Sequence, residues 1–164
     1  MTAVPGLPAH MACPLCDVTP VTSQWLRIWS HDTLHVVRVL DMPLFPAYYR
    51  VIWREHATEW SELGPSDRQR CMEVVTVIEQ LLREQLSPDK INLASLGNVV
   101  PHLHWHVVAR FGWDTHFPQS IWSAPVRDID ADGSTHLSHI QDLLPRLDHS
   151  LVKRLNQWNL EQIQ

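Results

Sequence analysis

The stretch Pro101-His102-Leu103-His104-Trp105-His106-Val107-Val108 sets three histidines in strict alternation with bulky apolar residues. A period of two belongs to a β-strand with one buried face, because successive side chains point to opposite sides of the pleat. At a rise of roughly 3.3 Å per residue the three imidazoles share one face about 6.6 Å apart. Leu103, Trp105 and Val107 then point into a core. Such a row of imidazoles suits two chemistries. His-x-His on a strand is a common metal-ligand pair, and a catalytic zinc would need a third ligand and an open position. Alternatively, one imidazole attacks a phosphoryl centre while its neighbours orient it. The central His104, flanked on both sides, is then the nucleophile. A solvated or internally satisfied histidine row is the third alternative.

The rest of the chain predicts the frame around this strand. Trp25–Trp29 and Leu34–Leu40 are short bulky runs separated by Ser30-His31-Asp32-Thr33, which predicts a β-hairpin. Met42-Pro43-Leu44-Phe45-Pro46 breaks the pattern, and Tyr48–Trp53 predicts a third strand. Thr58–Leu63 suits one helical turn. A long helix is predicted from Ser66, with Ser66 as cap and Gln69 completing a capping box. Cys71, Val74, Val75, Ile78, Leu81 and Leu82 form its single apolar stripe, and Ser87-Pro88-Asp89 ends it. Ile91–Leu96 and Val100–Arg110 predict strands four and five on either side of Gly97-Asn98. Phe111 to Asp132 is irregular. Ser134–Leu144, followed by a helix opened by Pro145 and carrying Leu147, Leu151, Leu155 and Trp158, predicts a C-terminal helical hairpin.

Composition removes several classes of function. A chain of 164 residues suits one domain with a small appendage. Its formal charge of −5 argues against a basic face for polymeric nucleic acid and leaves a small nucleotide open. With 45% apolar and 19% charged residues it is a globular chain. No apolar run approaches the roughly 20 residues that span a bilayer, so no membrane partner is expected. Met1 to Met11 lacks the basic start and apolar core of a signal peptide. Three cysteines, an odd number, argue for a reducing compartment, and a cytoplasmic location is expected.

His102-Leu103-His104-Trp105-His106-Val107-Val108 resembles the His-φ-His-φ-His-φ-φ signature of the histidine triad (HIT) family. The similarity extends to Asn92 in Ile91-Asn92-Leu93, to Gly97-Asn98 where the family usually has Gly-Gln, and to Val51-Ile52-Trp53-Arg54-Glu55-His56. Phe117-Pro118 to Trp122 resembles the loop of bacterial relatives similar to diadenosine polyphosphate hydrolases. The resemblance implies an α+β fold: a five-stranded antiparallel sheet with one long helix, here with the C-terminal helical extension, and commonly a homodimer. Pro5, Gly6 and Pro8 suit a loose leader over residues 1–12; the resemblance makes 13–125 a nucleotide-binding domain, and the tail, whose pattern changes, is an extension over 126–164. The same resemblance implies hydrolysis or transfer of a nucleoside monophosphate group through a nucleotidyl-His104, with His106 and His102 beside the phosphate and leaving group. No cofactor is required for that chemistry. Asn92, Gly97, Asn98 and Val99 fall at the family's substrate-binding positions. Four departures accompany the match: Asn98 is one methylene shorter than Gln, Val99 lacks the hydroxyl of a Ser found in some members, Tyr48 stands where some members place a further histidine, and Trp53 stands in for the family's Pro.

The resemblance also implies a structural zinc site. Cys13-Pro14-Leu15-Cys16 resembles the Cys-x-x-Cys opening of many bacterial members, and His56 and His102 match the positions that complete their four ligands. Reduced thiols without a metal are the alternative. Among the other aromatic residues, His116, Trp113 and Trp122 are candidates to line the site or plug the core. A metallohydrolase using the histidine row, and a non-catalytic nucleotide-binding or adaptor protein, remain alternatives to the nucleotide hydrolase.

Overall fold

A computed structural model describes residues 13–19 and 21–161. The leader expected over residues 1–12 lies outside them. Five bulky segments form one antiparallel sheet: β1 (Trp25–Ser30), β2 (Leu34–Val39), β3 (Tyr48–Trp53), β4 (Lys90–Ala94) and β5 (His104–Arg110), in spatial order β1-β2-β3-β5-β4. Helix α1 (Pro65–Leu86) connects β3 to β4, and helix α2 (Ala131–Glu161) follows β5.

Alternation decides which side chains go where. Val36, Tyr49, Val51, Trp53, Trp105, Val107 and Ala109 face the helices, where they pack with the apolar stripes of α1 and α2. Val37, Tyr48, Ile52, His104, His106 and Val108 face the other way, under the 13–19 segment and the loops around Phe45 and Ile121. In β1 a bulge between Arg27 and Trp29 shifts the register. Trp25 and Trp29, four residues apart, would otherwise share a face; the extra residue sends Trp25 to the site side and Trp29 to the helix side.

Four expectations are corrected. The long helix begins one residue earlier than predicted, with Gly64 at the N-cap and Pro65 at its first position, and Ser66 makes no cap. Proline needs no N–H there, so the start is satisfied without a side-chain cap. Gln69 bonds Glu73 instead of closing a capping box. The tail is one helix, not a hairpin, and Pro145 lies inside it. Ile140, Leu144, Leu147, Leu151, Leu155 and Trp158 are buried on both sides of the proline. Burying that one stripe outweighs the roughly 3 kcal/mol cost of an internal proline. Strand β4 is shorter than predicted. Strand β5 starts at His104 and not at Val100, which removes His102 from the row.

Candidate active site

His102 leaves the strand because the backbone before it is engaged elsewhere. Pro101 has no N–H to give a ladder, the His102 amide turns back to the Val100 carbonyl at 2.8 Å, and the Leu103 amide bonds the Ala57 carbonyl at 2.7 Å. The His102 ring therefore points away from its two partners. Its Nε2 donates to the Trp53 carbonyl at 2.6 Å, and its Nδ1 lies 3.3 Å from Cys13 Sγ and 3.6 Å from Cys16 Sγ. Cys16 Sγ in turn lies 3.3 Å from His56 Nδ1. The four ligand atoms of Cys13, Cys16, His56 and His102 all sit within 4.8 Å of one another. A tetrahedral zinc with ordinary Zn–S and Zn–N lengths would set sulfur and nitrogen about 3.6 Å apart. The bond to Trp53 also fixes the tautomer that leaves Nδ1 free for a metal. Burial and the neighbouring Cys13 push the Cys16 thiol up to about 11. A central divalent cation would reverse that shift. Among the described residues this is the one such metal-ligating cluster, and neither His104 nor His106 belongs to it.

His104 and His106 remain side by side, ring centroids 4.6 Å apart, on the site face of β5. His104 Nδ1 donates to the His102 carbonyl at 2.6 Å, so its Nε2 carries the lone pair. Burial lowers the His104 pKa below the usual imidazole value; the bond to His102 opposes that, and the Arg50 charge adds to it. His106 is bound in the opposite sense. Arg50 Nε, which can only donate, bonds the Tyr48 hydroxyl oxygen at 3.2 Å. The buried Tyr48 hydroxyl then donates a hydrogen bond to His106 Nδ1 at 2.6 Å, leaving His106 with Nε2–H. Burial, then His104 and Arg50, push His106 down to about 3.

Both rings border a cavity of about 450 Å³. Its walls include Trp25, Asp41, Arg50, Trp122 and the Gly97-Asn98-Val99 loop. Gly97 has φ +67°, a left-handed conformation that glycine adopts without strain. Asn92 shares the site face of β4, but its Oδ1 accepts from Arg110 Nη1 at 2.7 Å and it does not line the cavity. Arg110 also grips both oxygens of Asp114, at 2.8 and 3.0 Å. Burial alone would raise the Asp114 carboxyl; Arg110 and backbone amides outweigh it and hold it below the usual range. This buried network fixes the loop that lays Trp122 edge-on over His106 at 5.0 Å. Trp113 instead stacks on Phe111 and His136, and His116 packs against Phe45, both outside the cavity. A second cavity of about 440 Å³ opens beside Trp60, Met72 and Trp105; it reaches Gly97 and, of the three histidines, only His102, whose ring nitrogens are both engaged.

The sequence model of the HIT domain matches residues 27–112, just over half of the chain. The chain belongs to the HIT domain family. Solved HIT structures share its fold. A histidine triad protein from Bradyrhizobium japonicum is 25% identical with a TM-score of 0.59, the match covering 76% of this chain and 90% of that one. One from Marinobacter aquaeolei is 25% identical with a TM-score of 0.57, covering 76% and 92%. A Zn-bound histidine triad family protein from Mycobacterium smegmatis is 20% identical with a TM-score of 0.50, covering 86% and 99%. No curated protein matches the chain. The sequence-predicted residues divide: His104, His106, Gly97, Asn98 and Val99 meet at one cavity, His102 joins Cys13, Cys16 and His56, and Asn92 belongs to neither group. Asp41, Arg50 and Trp25 were not singled out as site residues, since each looks like ordinary loop or strand composition until the sheet brings them beside the histidines. The one available signal was register: Arg50 stands two residues after Tyr48, on the same face of the strand.

Proposed function

We propose that this HIT protein is a nucleotide hydrolase or nucleotidyl transferase acting at the α-phosphate of a nucleoside phosphoramidate or dinucleoside polyphosphate. One observation carries the reading: His104 is locked through Nδ1 to a backbone carbonyl, leaving its Nε2 lone pair available in a cavity of about 450 Å³. A neutral, oriented imidazole is what a nitrogen nucleophile requires. His104 Nε2 forms a bond to phosphorus as the bond from phosphorus to the leaving group breaks. The departing nitrogen or oxygen takes the His106 Nε2 proton as the Tyr48 hydroxyl passes its own to His106 Nδ1, the Arg50 guanidinium facing the phenolate so formed. Water then attacks phosphorus, its proton returning through His106 Nε2 to Tyr48, the N–P bond breaks, and the nucleoside monophosphate leaves. Two displacements retain configuration at phosphorus. Amides of the Gly97-Asn98 loop suit the oxygens on which charge develops. The Asp41 carboxylate is an acceptor for sugar hydroxyls, and Trp25 and Trp122 offer aromatic surface for a base.

Zinc belongs to this proposal as a structural ion held by Cys13, Cys16, His56 and His102, the Zn-bound relative being consistent with it. It would pin the 13–16 turn beneath the sheet. Its thiolate ligands fit a reducing, cytoplasmic setting. His102 then serves the reaction through its carbonyl and not its ring.

Incubation with adenosine 5′-phosphoramidate and with a diadenosine polyphosphate, with and without chelator, tests the reading. AMP release that survives chelation and is lost in His104→Ala is expected. Release abolished by chelator favours a zinc-dependent hydrolase. AMP binding with no turnover favours the adaptor reading, to which the shorter Asn98 and the apolar Val99 lend weight.

A further inference from the structure

The described arginines of the sheet differ in how their charge is met. Arg38 bonds Asp148 at 3.0 Å, and Arg110 bonds Asp114 at 2.8 Å. Arg27 donates to the Val18 carbonyl at 2.7 Å. Arg50 is half-buried at the wall of the His104 cavity, and among the described residues no carboxylate lies within ion-pair distance of it. Asp41 lines the same cavity but is not paired with Arg50, and a half-buried guanidinium free of an ion pair suits an arriving anion. Its position is also fixed. Nε is spent on the Tyr48 hydroxyl, and the guanidinium carbon lies 5.3 Å from the centroid of the Tyr48 ring. The two terminal nitrogens make no hydrogen bond to any described residue, which leaves the fork that matches two phosphoryl oxygens. Register sets the aim: Arg50 pairs with His106 and Ile52 with His104, so the guanidinium springs from the same face as the nucleophile, one step along the sheet.

We propose that Arg50, held by Tyr48, is a catalytic residue whose guanidinium clamps the non-bridging oxygens of the phosphoryl group that His104 attacks. This rests on the phosphoryl-transfer reading of the same cavity. The clamp draws charge off the oxygens as the N–P bond forms and restores polar contact that Val99, with no hydroxyl, does not provide. Tyr48 is a positioning residue: one phenol oxygen orients the clamp, and its proton keeps His106 Nε2–H turned to the cavity.

Calorimetric titration of the full chain with AMP and with adenosine tests the clamp apart from turnover. Arg50→Gln is expected to weaken AMP about tenfold or more and to leave adenosine unchanged. Arg50→Lys keeps the charge without the fork and is expected to recover only part of the loss. It also carries the test, with a loss of about threefold or more, where Arg50→Gln does not fold. Tyr48→Phe is expected to lower kcat more than it raises KM for AMP release. AMP affinity unchanged in the Arg50 variants, or AMP and adenosine weakened alike, overturns the clamp and leaves the hydrolase reading standing. AMP binding that depends on Arg50 without any AMP release leaves Arg50 a phosphate-binding group, and overturns both the hydrolase and the catalytic role of the clamp. A wild-type chain that binds no AMP overturns both.

Discussion

His104 and His106 lie two residues apart on one strand, and their hydrogen bonds assign them opposite tasks. His104 donates a hydrogen bond from Nδ1–H and keeps a lone pair for the cavity; His106 accepts one at Nδ1 and keeps a donor for it. Neither role needs a charged ring, and the surroundings keep both neutral. This has a cost in acid. The unfolded chain binds a proton at His106 near pH 6.5, whereas the folded chain resists until about 3, because of burial and then His104 and Arg50. The folded-state value is lowered, so the unfolded state holds more protons below pH 6.5 and stability falls as pH falls from there toward 3. His35, pushed down to about 4 by burial and then Arg27 and Arg54, acts in the same direction. Urea unfolding is expected to show a loss of about 1–2 kcal/mol between pH 7 and pH 5 from His106 alone, a loss that His106→Gln removes. Identical pH dependence in the two proteins would contradict this account. The alternation of 102 to 106 made the central nucleophile legible. It did not show that His102 turns away, because a run of alternating residues does not report which backbone amides are already committed to a neighbouring loop.

At the scale of elements, the four-ligand cluster ties three separate pieces of chain together: the 13–16 turn, the exit of β3 at His56 and the entry to β5 at His102. These pieces bury little apolar surface of their own; Leu15 and Val18 reach only the small group formed with Trp25, Val37 and Ile52. A bound metal is therefore expected to contribute much of the order in this corner. Elemental analysis of the purified protein is expected to find zinc, and a Cys13→Ser, Cys16→Ser double variant to lose it with a fall in Tm on the order of 5–10 °C. AMP release at 25 °C is expected to drop less than about tenfold in that variant, since Pro14 and Leu15 of the turn only line the cavity wall while the His102 carbonyl orients His104. A wild type stripped of metal whose Tm equals that of the metal-loaded protein would remove the structural role. The Cys-x-x-Cys spacing and its two distant histidines carried this site in the sequence through family resemblance, not through local pattern. The helices show the converse. The stripe of α1 was plain from its spacing, but Pro145 obscured α2, although Ile140, Leu144, Leu147 and Leu151 keep one face across it. A proline is a local signal, and burial of a continuous stripe against the sheet overrides it.

For the whole molecule, the sheet ends differently at its two sides. Strand β1 is met at its outer edge by the bridge between Val21 and Leu26. Strand β4 pairs only with β5, and beyond its far edge no described strand follows. Around that edge apolar groups are open to water: Leu93 is 40% exposed and Leu96 48%. The cavity of about 440 Å³ beside Trp60, Met72 and Leu96 adjoins it, and there Trp105 Nε1 is buried without a hydrogen-bond partner among the described residues. A free strand edge with apolar neighbours invites pairing with another chain, and folded proteins cover or blunt such edges. The homodimer suggested by family resemblance meets this need if two β4 strands pair antiparallel about a twofold axis, closing both edges in one self-complementary contact. Nothing in a single chain's periodicity distinguishes an edge strand from an inner one, so the surface became legible only with the strand order. Light scattering during size-exclusion chromatography is expected to give twice the chain mass of 19.0 kDa. Replacing Leu93 and Leu96 with Glu sets like charges against each other across the twofold and is expected to yield the single chain, still folded, since both side chains are exposed. A wild-type protein that elutes as one chain at micromolar concentration defeats the pairing. A double variant that stays dimeric moves the contact to another face of the molecule, away from β4.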